Sequence, residues 1–102
     1  MRYMFLYYGA APDSDEQRDA GMKEMADWYG ELGSAIVDGG NPFTSAKTVG
    51  SNGVKDGPMG EMATGYTIVE APDLESATSL AEGCPLVSHG REIQLLEILP
   101  TM

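Results

Sequence analysis

Two side chains that carry much of protein chemistry are almost missing from this sequence. Among 102 residues there is one cysteine, Cys84, and one histidine, His89. A single cysteine excludes an intramolecular disulfide and leaves any zinc site short of thiolates. No metal centre is expected. Basic residues are scarce too: six Lys and Arg, scattered from Arg2 to Arg91, stand against sixteen Asp and Glu, a formal charge of −10 at pH 7. That field repels phosphate backbones, and no local cluster of cations offsets it. It speaks against nucleic acid and against an anionic membrane as partners. The acid excess reads as solubility, because no Asp-x-Asp-x-Asp-Gly loop is present to bind calcium. No apolar run approaches the ~18 residues that span a bilayer. The opening Tyr3-Met4-Phe5-Leu6-Tyr7-Tyr8 is too short for a signal segment and lacks a small-residue cleavage site, so a reducing cytoplasm is the expected compartment. Catalytic signatures are also missing: Gly-x-Ser-x-Gly, His-Glu-x-x-His and Cys-x-x-Cys do not occur. The glycines between Gly57 and Gly65 form no phosphate loop, since no Gly-Lys pair and no strong helix follow them. No cofactor is implied.

What is present is an ordinary globular composition, 42% hydrophobic and 22% charged, of a length that makes one domain over residues 1–102. Residues 2–8 alternate Tyr3, Phe5, Tyr7 with Met4, Leu6, Tyr8. Both sides are apolar, so this strand needs cover on both faces. Gly9 to Pro12 stop it, and Asp13 or Ser14 caps a helix that runs to about Leu32. At 100° per residue Met22, Met25, Tyr29, Leu32 and Ile36 fall in a sector roughly 80° wide, with Lys23, Glu24, Asp27 and Glu31 opposite and Trp28 at the edge. Ala35 to Val37 is a short extended piece or a last ragged turn. Asp38-Gly39-Gly40-Asn41-Pro42 is a turn. A strand over Ser45–Val49 meets Asn52-Gly53, a type I′ hairpin signal, and returns at Val54-Lys55. Pro58 then removes a ladder donor. Gly65 to Glu70 is a strand, Pro72 to Gly83 a second helix, and Glu92 to Leu99 a last strand after a loop over 86–90. Leu74, Ala77, Ala81 and Cys84 share one face of the second helix, and Cys84 reads as a small buried hydrophobe.

The order predicts an α+β fold of two β-α-β halves, a ferredoxin-like antiparallel sheet with both helices on one face. The first and last strands are apolar on both sides, and no element remains to cover the second face. A homodimer packed sheet to sheet, a dimeric α+β barrel, is the expected solution.

Around Asp56-Gly57-Pro58 the chain resembles the YCII-related family, in the branch named for an Asp-Gly-Pro-Phe motif. The opening Arg2-Tyr3-Met4-Phe5-Leu6-Tyr7-Tyr8-Gly9, the stretch Gly65-Tyr66-Thr67-Ile68-Val69-Glu70-Ala71, Leu74-Glu75-Ser76-Ala77, Gly83-Cys84-Pro85 and Glu92 to Ile98 extend the resemblance over most of the length. It implies the same fold and dimer. Some relatives are thought to use a His–Asp pair with the histidine near the start of the first helix. This chain has no histidine between Asp13 and Trp28, and Met59 replaces the motif's Phe, so the pair does not carry over.

Candidate sites follow from what chemistry remains. His89, in Ser88-His89-Gly90, is the only side chain with an unperturbed pKa near neutrality. It is either a solvated loop residue or a general base oriented by Asp56 or Glu61. Asp56 equally serves its own turn. Trp28, Tyr8 and Tyr66, with Tyr7 and Tyr29, either line an apolar ligand pocket or pack the core and interface. Three functions stay open: binding a small apolar or aromatic molecule in a cleft beside the sheet, cofactor-independent lyase or isomerase chemistry by proton transfer at His89, and a protein-interaction module.

Overall fold

The computed structural model describes residues 1–9 and 14–100. The elements are β1 (Arg2–Tyr7), α1 (Asp15–Leu32), β2 (Ile36–Asp38), β3 (Lys47–Gly50), β4 (Gly53–Asp56), β5 (Gly65–Glu70), α2 (Leu74–Glu82), α3 (Pro85–Ser88) and β6 (Ile93–Ile98). Four strands make one antiparallel sheet in the order β2-β5-β1-β6. With β3 and β4 set aside, this is the interleaved order of two β-α-β halves. The inner strands are β5 and β1, and on β1 Phe5 stands between Thr67 of β5 and Leu95 of β6.

Strand alternation sorts the side chains. Tyr3, Phe5 and Tyr7 point to the helix side with Thr67 and Val69, and all five are buried. Both long helices pack there: Trp28 and Leu32 from α1, Ala77 and Ala81 from α2, and Cys84 close the core with Ala71. Phe5 stacks on Trp28 with ring centroids 6.1 Å apart. Met4, Leu6, Ile68 and Ile98 occupy the other face, half-buried, and Leu96 is 40% exposed there. No element of the described chain lies over that face. The molecule is a slab of 44 × 44 × 19 Å, the thickness of one sheet and one helix layer.

Local chemistry explains the ends of the elements. Ser14 caps α1 by accepting from the Gln17 N–H at 3.1 Å, and Asp73 caps α2 from the Ser76 N–H at 2.8 Å. Asp73 holds its carboxyl below the usual range because of that bond. Asp13, the other candidate cap, lies outside the described residues. The chain over Gly33–Ala35 is a 3₁₀ turn leading into the short β2, so turn and extended piece follow one another.

Three expectations need correction. On α1 the buried stripe runs through Met25, Trp28, Tyr29 and Leu32, and Met22 is 66% exposed. The large indole turns the helix toward its own side, and the N-terminal half leaves the sheet. The expected hairpin is present as β3–β4, a separate two-stranded sheet, but its turn differs. Its register pairs Gly50 with Gly53, leaving Ser51 and Asn52 in the turn. No described non-glycine residue has a positive φ, so the turn is not type I′. Finally, Pro85 opens α3 where a loop was expected. At the first helical position its missing N–H would have had no helical partner anyway.

Thr67 is a polar residue with no exposed surface, at the centre of β5. Its Oγ1 donates to the Gly39 carbonyl at 3.1 Å, and lies 2.6 Å from Tyr7 Oη and 3.1 Å from Tyr29 Oη. A threonine hydroxyl has one hydrogen. With that hydrogen on Gly39, both tyrosines donate to Thr67. Among the described residues no buried side-chain N or O lacks a partner. Burial pushes the Tyr7 phenol well above its ordinary value.

A pH dependence follows. In the unfolded chain Tyr7 ionises near pH 10, whereas in the fold it keeps its proton, so its contribution is full below about pH 10 and is lost as pH rises beyond it. Tyr7→Phe should cost about 0.5–1.5 kcal/mol near neutrality and flatten the alkaline loss. Urea denaturation between about pH 8 and 11 tests this. An unchanged alkaline slope in the variant would refute the assignment.

Candidate functional site

Where α1 leaves the sheet, a cleft of 1040 Å³ opens. One wall is α1, with Gly21, Met22 and Met25. Opposite lie the loop Gly39–Pro42 and the start of β5 at Gly65 and Tyr66. His89, Gly90 and Arg91 form the end, and Tyr7 and Tyr29 belong to the lining. Apolar surface predominates, with a few fixed polar groups, which is the usual make-up of a small-molecule site.

The loop wall depends on one glycine. Gly40 has φ +79°, and a Cβ there would come 1.6 Å from the Tyr66 carbonyl oxygen. Only glycine lets this loop run against β5. Pro42 bridges Gly65, and the Phe43 N–H donates to the Thr64 carbonyl at 2.9 Å. Phe43 stacks on Tyr66 at 5.6 Å, and Tyr66 Oη donates to Asp38 at 3.2 Å. The tyrosine is thereby held from both ends.

The end wall is held as firmly. Arg91 Nε donates to the Tyr8 carbonyl at 2.9 Å, and Nη2 donates to the Gly9 carbonyl at 3.3 Å and to Thr64 Oγ1 at 3.2 Å. The stem crosses Gly9, whose φ is +110° and where a Cβ would meet Arg91 Nε at 2.7 Å. His89 follows α3 and sets its Nε2 3.0 Å from Glu24 Oε2 on α1. This pair lies at the rim, with the two side chains 59% and 43% exposed. Cys84 is buried beneath, and desolvation pushes its thiol up, away from nucleophilic character.

The expected site residues are dispersed. His89 and Tyr66 both line the cleft. Trp28 is 3% exposed and does not line it; its ring is committed to the stack on Phe5. Asp56 is joined to Lys47 across the hairpin. Glu61 shares with Tyr8 a separate shallow hollow of 380 Å³ formed with Glu92, Ile93 and Gln94, where Tyr8 Oη donates to Gln94 at 3.2 Å. The carboxylate that meets His89 is Glu24, which helical periodicity had assigned to the solvated face. Nothing local in the sequence joins residues so far apart. Thr67 had a signal, being the one polar side chain in the inward row of β5. Arg91 had none beyond being a cation in an acidic chain. Among the described residues, no group of three or more His, Cys, Asp or Glu is placed to hold a metal ion, and no helix is long and apolar enough to cross a membrane.

Comparison with known proteins places the fold. No curated protein sequence matches the chain. Among solved structures, 5-chloro-2-hydroxyhydroquinone dehydrochlorinase (TftG) from Burkholderia phenoliruptrix AC1100, in complex with 2,5-dihydroxybenzoquinone, superposes with a TM-score of 0.62. The match covers 97% of this chain and 94% of that one at 19% sequence identity. At that identity the likeness is one of fold. The family model of the YCII-related domain matches residues 1–99, and the chain belongs to that family.

Proposed function

We propose that the chain binds a small aromatic molecule in the cleft between α1 and the end of the sheet. The observation that carries this is the lining: Met22 and Met25 of α1, with Tyr7 and Tyr29 and the loop Gly39–Pro42. Thioether and ring surfaces suit a flat apolar ligand. At 1040 Å³ the cleft stands at the upper limit of the range of about 300–1,000 Å³ usual for small-molecule sites. The fold likeness to a dehydrochlorinase solved with a hydroxylated quinone supports the same class of ligand.

A second reading rests on His89. A histidine 3.0 Å from a carboxylate at the rim of a cleft is a geometry for general-base catalysis, with Glu24 orienting the ring. Asp56 and Glu61, the partners expected from sequence, take no part in it.

The outer face of the sheet supports a further part of the proposal, a second copy of the chain packed face to face. Met4, Leu6, Ile68, Leu96 and Ile98 form an apolar row that the monomer leaves open. A self-complementary patch of this kind closes with twofold symmetry.

Three measurements test these statements. Calorimetric titration with 2,5-dihydroxybenzoquinone should give saturable one-to-one binding, and Met22→Asp, at an exposed wall position, should weaken it roughly tenfold or more. Absence of saturable binding would refute the aromatic-ligand reading. For His89, exchange of the ligand's ring protons in heavy water, followed by NMR, should be accelerated by the protein. His89→Gln should lower that acceleration by about 10²-fold or more, with Asp56→Asn neutral; an exchange rate untouched by the protein would remove the catalytic reading. For assembly, sedimentation should give twice the chain mass, and Leu96→Glu should give the mass of one chain. A parent protein sedimenting as a single chain would exclude the face-to-face pair.

A further inference from the structure

The chain carries sixteen acidic residues against six basic ones, yet its cleft reverses that ratio. The charged lining consists of Arg18 and Arg91 with Glu24 as the one carboxylate among the described lining residues. Glu24 is hydrogen-bonded to His89, and Arg18 is paired with Asp15 at 3.0 Å. Arg91 differs from the other arginines. It is half-buried, and among the described residues no carboxylate lies within ion-pair distance of it. Its partners are neutral oxygens: two backbone carbonyls and the Thr64 hydroxyl.

A guanidinium has five N–H donors. Three are used by these oxygens, all on the Nε–Nη2 side. The two on Nη1 make no hydrogen bond with any described residue. A partly desolvated cation held this firmly, with one nitrogen unengaged by any described residue at the edge of an apolar cleft, is a preorganised site for an anionic oxygen. The tyrosines of the lining do not compete for that role. Tyr7 and Tyr29 donate their hydrogens to Thr67 and meet a ligand only through oxygen lone pairs.

We propose that the cleft selects ring compounds bearing an anionic oxygen, phenolate or carboxylate, held by Arg91 Nη1. This rests on the aromatic-ligand reading above and adds the charge of the ligand to it. The negative field of the rest of the protein makes such selection depend on this one local group.

The test compares 2-naphthoate with its neutral analogue 2-naphthalenemethanol on the full chain. The carboxylate should bind roughly 10- to 100-fold more tightly, as one charge-assisted hydrogen bond requires. Arg91→Met should bring it to the affinity of the alcohol, and Arg91→Lys, which keeps the charge, should retain part of the difference. Met22→Asp should weaken both ligands, marking the cleft as the place of binding. Equal affinities in the parent protein would overturn the proposal whatever the folding of the Arg91 variants, and would leave the aromatic reading in place. Binding of neither compound would overturn both. A preference for naphthoate that survives Arg91→Met in a folded variant would overturn the role of Arg91.

Discussion

The Thr67 hydroxyl sets the distance between helix and sheet at the point where the core ends. It ties β5 to β1 through Tyr7, to α1 through Tyr29 and to the loop before β3 through the Gly39 carbonyl. Toward β6 and α2 the interior is apolar and closed. On the other side α1 continues past the sheet, and the space between them is the cleft. A valine in place of Thr67 would match it in size, yet would leave two tyrosine hydroxyls and a carbonyl in search of partners. Burying such groups unpaired is expensive. The polar cluster therefore defines the floor of the site as well as the edge of the core.

The cleft walls share one design. Each is backbone running close to a neighbour at a glycine: Gly40 against the Tyr66 carbonyl, Gly9 beneath the Arg91 stem. A side chain at either place would push the wall outward. Rigidity here comes from contact too close for a Cβ, while the helix wall contributes the adaptable methionines.

Most of the sheet was legible from period-two alternation, because Tyr3, Phe5 and Tyr7 and the row Thr67 and Val69 repeat at the spacing the strand imposes. The cap of α1 was legible as Asp13 or Ser14 for a similarly local reason, whereas Asp73 was read only as part of the start of the second helix and its capping role came from the structure. Rotation of α1 was not. A stripe of Met, Tyr and Leu at helical spacing admits neighbouring sectors, and the size of Trp28 decided between them only once the sheet was beneath it. The turn of the hairpin shifted by one residue, since Asn-Gly is a preference and the register Gly50 to Gly53 belongs to the strands. The site was the least legible part. His89 was visible as the only histidine, but its partner Glu24 comes from a helix face whose local pattern says solvent. Arg91 gains its meaning from the Tyr8 and Gly9 carbonyls on the far side of the sequence.

The placement of β1 has a consequence for how the chain reaches this state. Its two neighbours in the sheet come from residues 65–70 and 93–98, and no nearby strand pairs with it. The first strand of the sheet to be synthesised thus waits with both hydrogen-bonding edges open until most of the chain is available. Closing such long loops comes before the contacts that reward it, which places folding toward the slow end for a domain of this size. During that interval the apolar rows of β1 are open to any other extended chain. The acid excess then matters in time as well as in space: like net charge opposes the meeting of two such chains before β5 and β6 arrive.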